Sequence, residues 1–240
     1  MARRLAAGGS HLVLVARTEP ALEKLAAELY AAHGVEAEVL RADLATEEGV
    51  AVVEARLAGA GGSPVDLLIN NAGFGTAGDF ADLSPTRVAA EVRLNVLALV
   101  RLTRAAVPGM VARGGGAVLN VSSVAGLQPL PNMATYAATK AFVTSFSESL
   151  HEELRGRGVT VTALLPGLTR TGFQARAGVT RIPAFAWMDA GRVADDALAA
   201  TAAGRAICIP GLGWKVVSAI TRPLPRSLVR RVMGAGRSSW

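Results

Sequence analysis

Ser123, Tyr136 and Lys140 are the residues whose types and spacing could carry chemistry. Tyr136 follows Ser123 by thirteen residues, and Lys140 follows Tyr136 by four. Residues four apart share one face of a helix, so Tyr136 and Lys140 can lie side by side. A free phenol titrates near about 10, and a neighbouring ammonium lowers that pKa because it favours the phenolate. The tyrosine could then exchange a proton with an alcohol or a carbonyl near working pH.

The serine hydroxyl could hydrogen-bond the same substrate oxygen and hold it in place. A hydride would leave or arrive from a cofactor on the other side of the reacting carbon. A bare Tyr-x-x-x-Lys is weak by itself, because an exposed pair on a helix has the same spacing. Further motifs therefore matter: Asn70-Asn71-Ala72-Gly73 ends a strand, Asn95 interrupts an apolar helical stretch, and Pro166-Gly167 ends the strand after the tyrosine helix.

Short β-rich runs alternate with longer helical patterns, which is typical of a parallel sheet covered by helices on both faces. Strands are predicted at residues 11–16, 35–42, 65–70, 116–121, 159–165 and 206–209. Helices are predicted at 20–33, 46–57, 84 to about 113, 136 to about 155 and 189 to about 202. Ligands bind beyond the carboxyl ends of strands in such sheets, and the start of the tyrosine helix faces that edge. The predicted fold is an α/β, Rossmann-like, doubly wound parallel sheet in a single domain.

The motifs, in this order and spacing, resemble the short-chain dehydrogenase/reductase family from residue 2 to about residue 210. The resemblance implies an enzyme that interconverts a ketone and a secondary alcohol by hydride transfer with a nicotinamide cofactor. Tyr136 would be the general acid/base, Ser123 would orient the carbonyl, and Ser122 would be structural. Lys140 would hydrogen-bond the nicotinamide ribose and lower the tyrosine pKa. Asn95 would hold a water that links Lys140 to solvent; a core amide bonded to helix backbone is the alternative.

The resemblance also assigns residues to the cofactor. Asn71, Ala72 and Gly73 would line the adenosine-side ribose. Asp43 and Leu44 match the pair that holds the adenine ring, although a plain aspartate at a helix start explains Asp43 equally. The remaining positions, on the nicotinamide side, are Pro166, Gly167 and Thr171, the last matching a threonine that contacts the carboxamide. No metal site is predicted.

Arg17 bears on which nicotinamide cofactor is used. An acidic residue at this strand end bonds a ribose 2′-hydroxyl, whereas an arginine accommodates a 2′-phosphate. The chain has Arg17 and Thr18 there, and no carboxylate before Glu19. A guanidinium suits a phosphate. NADP(H) is therefore favoured over NAD(H), with a solvated arginine as the alternative.

The family's first strand and its Gly-rich turn have no counterpart before Arg17, so about 20–30 residues are expected to be absent relative to the family's pattern, the first strand among them. The glycines of that turn admit the pyrophosphate to a helix N-terminus. Either the natural chain starts further upstream, or neighbouring strands lack a ladder partner and cofactor affinity falls. Gly73 to Gly78 fits Gly-x-Gly-x-x-Gly, but no strong helix signal follows it, so it is predicted to be a substrate-side loop.

Composition narrows the class of protein. No uninterrupted apolar run is long enough to span a membrane, and no signal peptide is seen. The single cysteine, Cys208, is predicted to be a buried inert thiol, which fits a cytoplasmic setting. The net charge of +6 is uneven: the first 196 residues hold 18 basic and 19 acidic groups, and the rest hold seven basic and none acidic. Nucleic-acid binding is not predicted, because no reading motif accompanies the charge.

Two segments flank the predicted site. Residues 172–189 contain several apolar side chains, which indicate either a hydrophobic substrate or ordinary packing of a lid. The domain is predicted to span residues 1–212, with a basic amphipathic tail over 213–240. The tail's apolar residues recur at helical spacing among arginines: Leu224, Leu228, Val229, Val232 and Met233. Such a helix can lie on an anionic membrane surface or dock on a neighbouring subunit of a homo-oligomer.

Two other functions remain open. A non-catalytic binding or scaffold protein could keep the fold with impaired cofactor binding, but the complete Asn, Ser, Tyr and Lys set argues against it. An epimerase or dehydratase acting on a nucleotide sugar shares Tyr-x-x-x-Lys, yet such enzymes have longer C-terminal substrate domains.

Overall fold

A computed structural model describes residues 1–170, 187–221 and 224–235 of the chain. Strands and helices alternate along it, as predicted. The strands are β1 (Leu12–Ala16), β2 (Ala37–Arg41), β3 (Leu67–Asn70), β4 (Gly116–Val121), β5 (Val159–Leu164) and β6 (Ile207–Cys208). The helices are α1 (Ala2–Ala7), α2 (Glu19–His33), α3 (Glu47–Leu57), α4 (Pro85–Val92), α5 (Leu99–Ala112), α6 (Ala134–Glu153), α7 (Ala190–Ala202), α8 (Leu212–Thr221) and α9 (Arg226–Ala235).

All pairings between the described strands are parallel, and they form two sheets. β1 pairs with β2, and the other sheet has the order β3-β4-β5-β6. Among the described residues, β1 and β3 therefore each have one edge without a strand partner.

Helices cover both faces of the larger sheet, which confirms the predicted fold class. Successive side chains of a strand point to opposite faces. Val118 of β4 packs in one buried cluster with Leu102 and Met110 of α5. Its neighbour Leu119 packs in another cluster with Val193 of α7. Strands buried on both faces need apolar residues at consecutive positions, which explains the uninterrupted apolar runs in the sequence.

The long helix predicted from residue 84 to about 113 is not one regular α-helix. A π-helical segment, Arg93–Ala98, separates α4 from α5. Such segments widen a helix by one residue and occur often at functional sites. Hydrophobic periodicity did not reveal it, because apolar residues flank the segment on both sides. It contains Asn95.

The stretch Pro85–Ala112 is long and apolar enough, by length and composition, to cross a membrane, with a mean hydropathy of 1.3 over an 18-residue window. Charged residues interrupt the stretch, so no uninterrupted apolar run reveals it in the sequence. Core helices pass the same test. Here Ala98, Leu102, Ala106 and Met110 lie in the buried cluster against β4 and β5, and this packing accounts for the apolar composition.

Candidate active site

The end of β4 and the start of α6 bring the predicted trio together. β4 ends at Val121, and Ser123 caps the short 3-10 helix Val124–Leu127, with its hydroxyl accepting from Ala125 N at 3.1 Å. That short helix lies directly on α6: a β-carbon at Gly126 would come within 2.5 Å of the Lys140 carbonyl carbon. Only glycine permits this approach, which places Ser123 beside the first turns of α6.

Ser122 and Ser123 have different surroundings. The Ser122 hydroxyl donates to Lys140 O at 2.7 Å and also contacts the Thr144 hydroxyl at 2.7 Å. Ser122 therefore connects the end of β4 to α6 through hydrogen bonds, which agrees with the structural role expected of it. Ser123 instead hydrogen-bonds the Tyr136 hydroxyl, and this bond lowers the tyrosine pKa.

Burial dominates the titration of Tyr136. It raises the pKa of the phenol to about 12, against the opposing effect of the Ser123 hydrogen bond, and the negative charge of Glu91 raises it further. The expected lowering of this pKa by Lys140 is not observed. The Lys140 nitrogen donates to Val121 O at 2.7 Å and lies 5.7 Å from the centre of the Tyr136 ring. At neutral pH the phenol is therefore protonated and can act as an acid.

Lys140 is buried in the same site. Burial lowers the pKa of its ammonium to about 8, and the Glu91 carboxylate opposes that change. The lysine consequently titrates close to physiological pH instead of near its usual value. Its charge depends on the neighbouring groups, because a buried ammonium is disfavoured unless an opposite charge compensates it.

Asn95 is buried in the π-helical segment and joins three parts of the site. Its Oδ1 accepts from Phe74 N at 3.1 Å, and its Nδ2 donates to Phe74 O at 2.8 Å and to the Thr139 hydroxyl at 3.1 Å. The amide thus bonds the loop after β3 and a side chain of α6, instead of the backbone of its own helix. A β-carbon at Gly73 would lie 2.9 Å from Asn95 Oδ1 and 3.6 Å from Lys140 Nζ, so the loop's glycine fits between these two groups.

Arg17 and Asp43, predicted to hold the adenosine end of the cofactor, meet at the ends of β1 and β2. The Arg17 guanidinium lies 4.0 Å from the Asp43 carboxylate, and its side chain is 77% exposed. Asp43 Oδ1 accepts from Ala45 N at 3.0 Å, whereas Thr46 provides the cap of α3. Asp43 is therefore not the capping residue of this helix. Leu44 is half-buried and packs against the larger core cluster.

The other predicted cofactor residues lie at the same edge of the larger sheet. Asn71 and Ala72 are exposed directly after β3. Pro166 follows β5, and its carbonyl accepts from Val124 N at 3.2 Å, next to Ser123. A β-carbon at Gly167 would collide with the Trp214 indole at 2.2 Å, so α8 packs directly on this turn. Thr171 lies outside the described residues.

Two groups of buried, hydrogen-bonded polar residues near the site were not predicted from the sequence, although one member, Asn70, begins a predicted motif. Asn70, Asn120 and Ser147 form a buried chain of hydrogen bonds beneath the site, with Asn70 Nδ2 donating to Asn120 Oδ1 and Asn120 Nδ2 donating to Ser147 Oγ, both at 2.9 Å. Glu91 and Thr76 form a second buried pair. The sequence does contain a signal for these residues, because each is a polar residue inside an otherwise apolar strand or helix, or next to a motif.

Residues 1–181 match the family model described as short chain dehydrogenase. The chain belongs to this family, as the site's motifs indicate. It is 36% identical over 170 residues to a very-long-chain 3-oxoacyl-CoA reductase of Bos taurus, covering 69% of this chain and 53% of that protein. The chain thus spans about half the length of such relatives.

Solved structures support the same fold. A short-chain dehydrogenase from Sphingobium yanoikuyae in complex with NADPH has 37% identity and a TM-score of 0.84, covering 91% of this chain and 86% of that one. A bulky-bulky ketone specific alcohol dehydrogenase from Comamonas testosteroni has 32% identity and a TM-score of 0.79, covering 94% and 89%.

Proposed function

We propose that the protein is an NADP(H)-dependent oxidoreductase that interconverts a ketone and a secondary alcohol. The observation that carries this proposal is the convergence of Ser123, Tyr136, Lys140 and Asn95 at the carboxyl ends of β3, β4 and β5. The related reductases and dehydrogenases support it. A scaffold role is less favoured, because such a role needs no buried lysine next to a tyrosine.

In the proposed mechanism, the chain's own residues handle the proton. The Ser123 hydroxyl holds the substrate oxygen and orients it toward Tyr136. Tyr136, which is protonated at neutral pH because burial raises its pKa, donates its hydrogen to that oxygen during reduction and accepts one back during oxidation. Lys140 lies 5.7 Å from the centre of the Tyr136 ring and would hydrogen-bond the nicotinamide ribose. Asn95 holds the loop after β3 against α6 and orders a water that supplies Lys140 with protons from solvent.

The donor set fits a nicotinamide dinucleotide, which when bound supplies or accepts the hydride. Arg17, Asp43 and Leu44 would hold its adenosine end, and Asn71, Ala72 and Gly73 would line the adenosine-side ribose. The nicotinamide end would meet Tyr136, Lys140, Pro166, Gly167 and Thr171. The exposed Arg17 guanidinium is available to a 2′-phosphate, which supports NADP(H) over NAD(H).

The first test of this proposal is binding followed by turnover. Titration of NADPH, followed by its fluorescence, should give saturable binding in the micromolar range. A panel of ketones, followed by NADPH absorbance, should then reveal turnover. We propose bulky apolar ketones as the substrate class, which the apolar residues between Gly172 and Asp189 and the names of the relatives support. Absence of both binding and turnover would instead support the scaffold protein.

Replacing Arg17 with alanine is expected to weaken the binding of NADPH and to leave the binding of NADH almost unchanged. A charged hydrogen bond to phosphate contributes about 1.5–3 kcal/mol, so the KM for NADPH should rise about tenfold to a hundredfold while that for NADH changes little. Arg104→Ala, at an exposed position of α5, is the matched control and should leave both constants unchanged. Equal effects of Arg17→Ala on the two cofactors would contradict the assignment.

We also propose that the tail contacts an anionic membrane surface from the cytoplasmic side. α8 exposes Val216, Val217 and Ile220, and α9 exposes Leu228 and Val232. Val229, predicted to belong to the same stripe, is buried instead and anchors α9 to the protein. Arg230 and Arg231 are exposed beside the outward residues. Apolar residues fringed by arginine suit a surface of acidic lipids.

Sedimentation with vesicles tests this contact. The protein should pellet with phosphatidylserine-containing vesicles at low salt and be released at high salt, because screening weakens such contacts. Reversing Arg230 and Arg231 to glutamate should weaken binding by at least about tenfold. Arg155→Glu, on an exposed arginine at the end of α6, should not. Failure to pellet at low salt would contradict the membrane contact.

Two further assignments accompany the proposal. We propose a homo-oligomer, supported by the exposed apolar side chains of Leu97 and Phe142 on the helical layer. A cytoplasmic setting is supported by Cys208, whose thiol is unpaired and buried and whose pKa burial raises. Such a thiol is poorly reactive, as predicted.

A further inference from the structure

Glu91 is a buried carboxylate for which the proposed mechanism gives no role. It lies on α4, one turn before Asn95, with 0% of its surface exposed. Its Oε2 accepts from Thr76 N at 3.1 Å and from the Thr76 hydroxyl. Its Oε1 has no hydrogen-bond partner among the described residues. A carboxylate costs much free energy to bury, so an ionised Glu91 at this position needs a compensating positive charge.

The loop after β3 links Glu91 to the site. Thr76 on this loop is bonded to Glu91, and Phe74, two residues earlier, is bonded through both backbone groups to Asn95. Gly73 at the start of the same loop fits between Asn95 and Lys140. Glu91 of α4 and Asn95 of the following π-helical segment therefore bind the loop at two points, and the same loop contacts Lys140 through Gly73.

The charged and titratable groups around Glu91 are few. Within the described part of the chain, those that face it are Arg87 on its own helix and Lys140 and Tyr136 on α6. The Arg87 guanidinium is 5.6 Å from the centre of the Phe74 ring, at the surface of the loop. Lys140 is the buried cation of this group, and its nitrogen bonds a neutral carbonyl, that of Val121.

We propose that Glu91 is the buried counter-charge of the Tyr136–Lys140 pair and that it sets the pH range in which the pair works. Glu91 is a positioning residue in this role, since it acts through Lys140 and Tyr136 without touching substrate. Burial raises the pKa of the Glu91 carboxyl, whereas the two hydrogen bonds from Thr76 and the charges of Lys140 and Arg87 favour its ionised form. This inference rests on the proposed function in one respect: that function makes Tyr136 and Lys140 the proton-transfer pair.

The charge of Glu91 is expected to shift the pKa values of Lys140 and Tyr136 in the same direction. A negative carboxylate favours the charged form of Lys140 and disfavours the phenolate of Tyr136, so it raises both pKa values. Glu91→Gln removes the charge with almost no change in shape. Both pKa values should therefore fall, and the alkaline limb of the reduction profile should move to lower pH, by about one unit.

A direct measurement of Lys140 tests this without any turnover. The chain has three lysines, and the other two, Lys24 and Lys215, are exposed. In protein labelled with carbon-13 at the lysine side chains, the NMR titration of Lys140, assigned with Lys140→Arg, should have its midpoint near about 8. Glu91→Gln should lower this midpoint by about one pH unit and leave those of Lys24 and Lys215 unchanged.

Two variants separate charge from structure. Glu91→Asp keeps the charge and should restore most of the Lys140 midpoint. Glu153→Gln, at an exposed position in the last turn of α6, removes the same charge from the protein and should leave the midpoint unchanged. Without urea, and at a temperature where Glu91→Gln is folded across the titrated pH range, as circular dichroism would show, its Lys140 midpoint reports the folded state alone.

An unchanged Lys140 midpoint in Glu91→Gln would overturn the inference, because Glu91 would then be neutral or too distant to act. A shift of the same size in Glu91→Asp would also overturn it, since packing and not charge would be responsible. Absence of turnover in the unmodified protein is a different result. It would refute the proposed function while leaving the titration of Lys140 as a valid test of the counter-charge.

Discussion

Tyr136→Phe is expected to abolish turnover and to leave the fold intact. The phenol hydroxyl is the group that donates its proton to the substrate oxygen in the proposed mechanism. General acid–base catalysis accelerates a reaction by about 10²- to 10⁴-fold. kcat/KM should therefore fall by that factor in both directions. NADPH binding should survive, since the ring and Lys140 remain. Circular dichroism and urea unfolding would show that the variant is folded.

The chain provides a matched control for this substitution. Its other tyrosine, Tyr30, is on α2 and is 65% exposed. Tyr30→Phe makes the same chemical change far from the site and should keep full activity. Retention of full activity in Tyr136→Phe would show that another group supplies the proton. A loss of activity in both variants would point to a general effect on the protein.

The sequence predicted the architecture well because the fold's periodicity is simple. β4 was predicted at its observed bounds, 116–121, since its consecutive apolar residues are buried on both faces and turn residues flank it. The helix over 190–202 was predicted almost to the residue, because Asp189 caps it by accepting from Arg192 N. The bounds of this strand and this helix depend on a few neighbouring residues and can therefore be predicted from the sequence.

Features that depend on contacts between distant segments were not predicted. The π-helical segment brings Asn95 to Phe74 and Thr139, which are distant in the sequence. The pKa of Tyr136 was expected to fall because only the neighbouring lysine was considered. Burial, which no spacing reveals, raises it instead. The roles of the individual site residues remain predictions, which the variants described here test.

Asn120→Ala is expected to destabilise the protein strongly. Asn120 is 0% exposed near the carboxyl end of β4, where its amide joins Asn70 of β3 to Ser147 of α6. Removal of the amide leaves a cavity and takes a partner from each neighbour, and an unsatisfied buried polar group costs about 1–3 kcal/mol. Together with the cavity, the free energy of unfolding should fall by about 2–4 kcal/mol, measured by urea unfolding.

A double-mutant cycle shows whether this cost comes from the hydrogen-bonded chain. Ser147→Ala combined with Asn120→Ala should cost less than the sum of the two single variants, with a coupling energy of about 1 kcal/mol, because either substitution alone already breaks their shared bond. Thr201 is the control for Ser147. It is also buried in a helix and donates to a carbonyl four residues earlier, but that helix is α7. Thr201→Ala should be additive with Asn120→Ala. Additivity of the Ser147 pair would mean that the bond between Asn120 and Ser147 contributes nothing to stability, and that the cost of Asn120→Ala comes from the cavity and from the lost bond to Asn70.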